Sequence, residues 1–234
     1  MSPVTRTRWV TFDCYGTLID WQAGFASILS RIAGERVDDL LRAYHRWERA
    51  VVRNPRHASY KDVLASALRK AADETAVSLA APDARALSRS WTALRPFDDV
   101  EAVLARLRSK GYKLAVLTNC DDDLFEVTHR AFRKPFDLFL TAERIRGYKP
   151  APWHFRAFEL LTRARKADWV HVSSSVYHDI TPAQAFGVRS VWLDRGRGSE
   201  NGAAGSVRVR SAADVAGAID ALFEQSHART PQLC

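Results

Sequence analysis

The chain has 234 residues, 47% of them hydrophobic, and carries a formal net charge of +8 at pH 7. This length suits one large domain or a core with an inserted subdomain, and the sequence shows neither an apolar run long enough to span a bilayer nor a signal-peptide pattern, so a soluble cytoplasmic protein is expected. Arginines are scattered rather than gathered into a stripe interleaved with aromatics, which argues against nucleic acid as a partner.

In chain order, the first predicted element is a strand over 9–13. Its apolar residues run into Asp13 and then into Cys14-Tyr15-Gly16-Thr17-Leu18. A carboxylate at the tip of a rigid strand, followed by a glycine-bearing turn and a hydroxyl, is placed as a nucleophile is placed. Read alone, such an aspartate also serves simply to cap a turn.

From residue 20 to about 95 the strand pattern stops. Alanine-, leucine- and arginine-rich helical patterns replace it, notably over 38–52, 60–72 and 83–93. We expect a helical cap subdomain over 20–95, inserted into an α/β core of 1–19 and 96–234, able to close over the sheet edge and exclude water. Arg42, Arg46 and Arg49 share one face of its 38–52 helix, opposite Leu40, Leu41, Tyr44, Trp47 and Val51. Trp21, Tyr44 and Trp47 are either pocket-lining or cap core.

Beyond the insertion, strands are predicted near 113–118, 136–140, 169–173 and 189–193, with helices near 98–109, 121–132, 152–165, 180–186 and 212–224. The alternation implies a parallel sheet. Three later strands end like the first, in Thr118-Asn119, in Thr141 ahead of Lys149-Pro150, and in Ser173-Ser174-Ser175. In an open parallel sheet such ends converge on one edge. The segment 195–205, rich in Gly and charge, reads as a surface loop. Cys14, Cys120 and Cys234 form an odd set without metal-ligand spacing, so free thiols are expected rather than a zinc cluster or a disulfide framework.

Four ordered segments carry a family resemblance: Phe12-Asp13-Cys14-Tyr15-Gly16-Thr17-Leu18, Leu117-Thr118-Asn119, Tyr148-Lys149-Pro150, and Val172 through Asp179-Ile180. Together they resemble the haloacid dehalogenase superfamily, and within it the L-2-haloacid dehalogenases, because Tyr15 stands where the superfamily's phosphatases carry an acid and Ser173-Ser174-Ser175 replaces their Gly-Asp-Ser. The resemblance implies a Rossmann-like α/β core with a parallel sheet and helical cap. It also implies a hydrolytic dehalogenase for small (S)-2-haloalkanoic acids, metal- and cofactor-free, with a small carboxylate as partner and a homodimer as assembly. By the same resemblance Asp13 is the nucleophile, Lys149 keeps it ionised and Asp179 prepares the hydrolytic water. Tyr15, Thr17, Thr118, Asn119, Ser173, Ser174 and Ser175 surround the substrate, and Arg42 receives the halide.

Two departures from the family pattern stand out. Phe155 replaces a frequent tyrosine, and Ser173-Ser174-Ser175-Val176-Tyr177-His178 carries one extra residue before Asp179. Two other chemistries share the scaffold: opening of a strained-ring amino acid at the carbon next to its carboxylate, and a magnesium-dependent phosphatase. A non-catalytic interaction protein is disfavoured by the joint presence of Asp13, Lys149 and Asp179.

Overall fold

The computed structural model describes residues 6–53, 58–196 and 207–228. Its six strands are β1 (Trp9–Phe12), β2 (Lys113–Thr118), β3 (Leu138–Thr141), β4 (Trp169–Ser173), β5 (Arg189–Leu193) and β6 (Val207–Val209). All pair in parallel, in the order β3-β2-β1-β4-β5-β6. Val10, Phe12, Leu114, Ala115, Val116, Leu117, Val170, Val172 and Val191 are fully or almost fully buried, the near-continuous apolar reading of a sheet covered on both faces.

Register positions the site. Phe12 lies level with Val116 on β2 and Val172 on β4, so Asp13, Thr118 and Ser173 leave the sheet along one edge. The strand order reverses at β1, which lies between β2 and β4, and a crevice outside the carboxyl ends of strands forms at such a point.

Ten helices accompany the sheet among the described residues. Four precede β2 in the segment between Asp20 and Arg95: α1 (Trp21–Ala33), α2 (Val37–Val52), α3 (Tyr60–Glu74) and the single turn α4 (Ala86–Arg89). The rest are α5 (Val100–Ser109), α6 (Asp122–His129), α7 (Ala142–Ile145), α8 (Trp153–Thr162), α9 (Thr181–Ala185) and α10 (Val215–Ala228). Asp20 caps α1 by accepting the Ala23 N–H at 3.1 Å. The chain leaves the sheet and returns to it through adjacent segments, with Ile19 bridged to Pro96 and the Phe97 N–H donating to Leu18 O. Phe25, Leu29, Leu40, Tyr44, Leu64, Leu68 and Trp91 of the helical segment share one buried cluster with Val10, Phe12, Val116 and Val172 of the sheet. No helix among the described residues is long and apolar enough to cross a membrane.

Several expectations are corrected. The sheet has a sixth strand, β6, which is only three residues long and has no buried position. Helix α1 exists where no pattern was singled out, because its buried face consists only of Gly24, Phe25 and Leu29. The helix expected over 83–93 is broken into 3₁₀ turns at Ala81–Arg85 and Trp91–Ala93 around α4. Side chains there bond main-chain carbonyls, Ser88 to Arg85 O and Arg89 to Pro82 O, in competition with a regular ladder. The helix expected over 180–186 is preceded by a π turn at Val176–Ile180, a form that accommodates an extra residue in a helical path. Residues 197–205 of the expected loop and Cys234 lie outside the described residues; Cys14 and Cys120 are free and buried.

Candidate active site

A cavity of about 370 Å³ opens at the strand edge, between β1, β2, β4 and the helices α1, α2 and α3. Asp13 and Asp179 stand on its floor with Lys149 between them. The Lys149 ammonium, 1% exposed, donates to Asp13 Oδ1 at 2.8 Å, to Asp179 Oδ1 at 2.6 Å and to Leu117 O at 2.8 Å. All three of its hydrogens are thereby used, and its position is fixed.

The electrostatics follow from two anions sharing one buried cation. Burial alone would lower the Lys149 pKa, but the two carboxylates outweigh it and hold the ammonium above its ordinary range. Burial raises Asp179, and Lys149 with His171 more than reverses this, so its carboxyl lies well below the usual carboxylate range. Asp13 is raised: burial and the Asp179 charge exceed what Lys149 and Thr17 take back. The floor therefore holds one carboxylate kept firmly ionised and a second with enhanced affinity for an electrophile or a proton.

The second oxygen of Asp13 is also held. Thr17 donates to Oδ2 at 2.7 Å, while the Thr17 oxygen accepts the Ser174 N–H at 2.9 Å, which ties the β1 and β4 loops together. Gly16, at φ +97°, makes the turn that brings Thr17 back to Asp13. Asn119 grips Lys149 through its main chain, its Oδ1 accepting the N–H at 2.7 Å and its Nδ2 donating to the carbonyl at 3.0 Å. Arg195 clamps the same turn from the far side, donating to Thr17 O at 2.9 Å and pairing with Asp99.

The structure brings Asp13, Tyr15, Asn119, Lys149, Ser174, Ser175 and Asp179 to the cavity, and it does not bring Thr17, Arg42, Thr118 or Ser173 there. Arg42 is corrected most clearly: its side chain is 66% exposed, pairs with Asp39, and faces away, because the inner face of α2 is taken by Leu40, Ala43, Tyr44 and Glu48. Arg49, two turns on, lines the cavity instead. Thr118 is buried with its hydroxyl toward Cys120 Sγ, and Ser173 is buried accepting the Ser175 N–H, so neither side chain reaches the cavity. Thr17 acts on Asp13 from behind. The Tyr15 hydroxyl is engaged by Thr128 and Trp91 at 2.9 and 3.2 Å. Trp21 and Tyr44 line the cavity, whereas Trp47 bonds Glu74 outside it. Phe155 is core, packed edge-on against His171.

Sequence reasoning missed a buried relay and the upper wall. Trp169 Nε1 donates to Thr11 Oγ1 at 2.8 Å, Thr11 contacts His171 Nδ1 at 2.8 Å, and His171 Nε2 lies 3.1 Å from Asp179 Oδ1. Because Nε2 faces a carboxylate oxygen, it carries the hydrogen. A histidine alternating with Trp169 and Ser173 on a fully buried strand was the available signal. In the upper wall Glu48 sits on the buried stripe of α2 four residues after Tyr44, a carboxylate where the period calls for an apolar side chain. His45, Tyr60, Trp91, His178 and Trp192 complete that wall.

The cavity is poorly suited to a magnesium ion. Both floor carboxylates are already bound by Lys149, Tyr15 offers no acid, and no cluster of three or more His, Cys, Asp or Glu side chains placed to hold a metal forms among the described residues.

A family model described as haloacid dehalogenase-like hydrolase matches residues 7–187. Among curated relatives, an (S)-2-haloacid dehalogenase of Pseudomonas sp. (strain YL) is 28% identical over 200 residues, covering 80% of this chain and 82% of its own. Haloacetate dehalogenase H-2 of Moraxella sp. (strain B) is 24% identical over 193 residues, covering 80% and 85%. Among solved structures, the L-2-haloacid dehalogenase of Xanthobacter autotrophicus with chloropropionic acid covalently bound superposes with a TM-score of 0.79 at 19% identity, covering 92% of this chain and 99% of that one.

Proposed function

The chain belongs to the haloacid dehalogenase-like hydrolases, and from that premise we propose that it hydrolyses small (S)-2-haloalkanoic acids through an ester on Asp13. One observation carries the reading: a strand-end carboxylate held by Lys149 and Thr17, beside a second, firmly ionised carboxylate on the same ammonium. A carboxylate oxygen of Asp13 attacks C2, the carbon–halogen bond breaks, and halide leaves with the bonding pair as the configuration inverts. Asp179 then takes a proton from water, the water oxygen adds to the ester carbonyl carbon, and collapse of the adduct breaks the carbonyl carbon–oxygen ester bond, so that the 2-hydroxy acid departs with an oxygen that began on Asp13 and with the proton returned from Asp179. Asp179 Oδ2, buried and without a hydrogen-bond partner among the described residues, is the acceptor available to that water. The names of the relatives support the substrate class.

The direction of the Tyr15 hydroxyl and the poor cation site weigh against the phosphatase chemistry that the scaffold also supports. The test is halide release from short 2-haloacids with and without chelator, joined to a single turnover in ¹⁸O-water. We expect chelator-independent release, no first-turnover label in product, and label in Asp13 afterwards. Asp13→Asn is expected to lose roughly 10⁴-fold or more in kcat. Label passing straight into product would overturn the mechanism. The family resemblance also leads us to propose a cytoplasmic homodimer, for which light scattering on the purified chain is the check of assembly.

A further inference from the structure

The upper wall of the cavity contains more polarity than a short haloalkanoate needs. Glu48 is 9% exposed, yet its carboxyl has one hydrogen bond among the described residues, a long 3.4 Å contact from the Tyr60 hydroxyl. Tyr44, one turn earlier on α2 and 2% exposed, has a buried hydroxyl that makes no well-formed hydrogen bond among the described residues, with Tyr60 as its polar neighbour. All three residues line the same cavity as Asp13 and Lys149. A buried polar group left unmatched is destabilising, so such a group in a ligand cavity calls for a partner. Burial pushes the Glu48 carboxyl up to about 7, with Tyr60 and Arg49 pulling it back, so near neutrality it can both accept and donate. Volume agrees: about 370 Å³ falls in the ~300–1,000 Å³ range of sites for much larger ligands, and a three-carbon acid fills only part of it.

We propose that Glu48, with the hydroxyls of Tyr44 and Tyr60, forms a polar subsite that binds a hydrogen-bond donor, a hydroxyl or ammonium, carried by the substrate beyond its reacting carbon. The proposal rests on the haloacid reading of the floor and narrows it to 2-haloacids with a polar side chain. Trp21, Phe25 and Trp91 supply apolar walls to the same cavity.

The experiment compares kcat/KM for 2-chloropropanoate, 2-chloro-3-hydroxypropanoate and 2-chloro-3-aminopropanoate in the native chain, Glu48→Gln and Glu48→Leu. We expect one polar substrate to exceed 2-chloropropanoate by about tenfold or more in the native chain. Which one does so tells hydroxyl from ammonium. The preference should shrink in Glu48→Gln and vanish in Glu48→Leu. A ratio near one in the native chain, or an unchanged ratio in both variants, overturns the subsite. Calorimetric binding of 2-hydroxypropanoate against 2,3-dihydroxypropanoate, for the native chain and Glu48→Gln, needs no turnover. If no 2-haloacid releases halide, the reading of the floor fails while this pair still decides the wall: tighter dihydroxy binding that depends on Glu48 supports it, and equal binding overturns it.

Discussion

Asp179 has its Oδ1 fixed from two directions, by Lys149 at 2.6 Å and by His171 at 3.1 Å, and the same atom therefore cannot turn toward the cavity. His171 is itself oriented by Thr11, and Thr11 by Trp169, so the orientation of one carboxylate is written into three fully buried residues of β1 and β4. This makes His171 a positioning residue for the second half of the reaction, since Asp13 has its own supports in Lys149 and Thr17. His171→Leu is expected to lower kcat about 10–100-fold through misplacement of the Asp179 carboxylate. It should do so by slowing ester hydrolysis rather than ester formation. Intact-mass measurement after quenching then finds a larger fraction of chain bearing the substrate adduct in His171→Leu than in the native chain, and His171→Gln, which keeps an N–H donor, restores part of the rate. A folded His171→Leu chain with slow turnover and no added adduct would assign His171 to general packing instead.

Elements differ in how much of them the sequence carries. Strand ends were legible because parallel strands, buried on both faces, stop where a polar residue appears: Lys113–Thr118, Trp169–Ser173 and Arg189–Leu193 begin and end where the apolar runs do. Asp13 was legible from such a strand end, whereas Lys149 and Asp179 came from the family resemblance. The helical segment was legible as helical but not in its facing, because α2 alone has arginines at 42, 46 and 49 and only packing decides that Arg49 turns inward while Arg42 pairs with Asp39. Likewise Thr118 and Ser173 sit at the right strand ends with side chains turned into the protein, a one-position distinction that no spacing rule resolves. Helix α1 was hidden by Gly24, and the structure explains that residue. A Cβ there would lie 2.3 Å from Leu94 Cδ2 and 3.4 Å from Leu94 Cα, where the returning chain crosses α1. Gly24→Ala gains helix propensity yet must displace a buried leucine, and overpacking of this kind costs about 1–3 kcal/mol. Urea unfolding should show a lower midpoint with unchanged slope; Gly24→Ala with Leu94→Ala should recover part of the loss, and an unaltered midpoint in the single variant would mean that α1 and the returning chain are not so closely apposed.

At the scale of the whole molecule, the buried titratable groups set a pH window for stability. His154 is fully buried and pushed down to about 3, burial being the main cause with Lys149 adding to it; His178 in the cavity wall is pushed down to about 4 for the same reasons. Each is a base whose folded pKa lies below its unfolded value near 6.5, so the unfolded chain binds more protons and stability is lost as pH falls from about 6.5 toward 4. Glu48 has the opposite sign. It is an acid raised from 4.5 to about 7, so the folded chain binds the extra proton, and its contribution is lost as pH rises from about 4.5 to 7. Asp13, also raised, acts in the same sense as Glu48. The groups around Glu48 are His45 and Arg49 on its own helix, Tyr44 and Tyr60 beside it, and Asp13, Lys149, His178 and Asp179 across the cavity. Stability should therefore change less between pH 5 and 6.5 than the histidines alone would impose, because Glu48 takes up a proton on folding where they refuse one. Glu48→Gln removes the opposing proton. Its stability should fall by about 2 kcal/mol more than the native chain's between pH 6.5 and pH 5, at about 1.4 kcal/mol per proton and pH unit. Chemical denaturation at the two pH values reads the difference directly, and parallel losses in the two chains would show that Glu48 titrates in the folded protein as it does in the unfolded one.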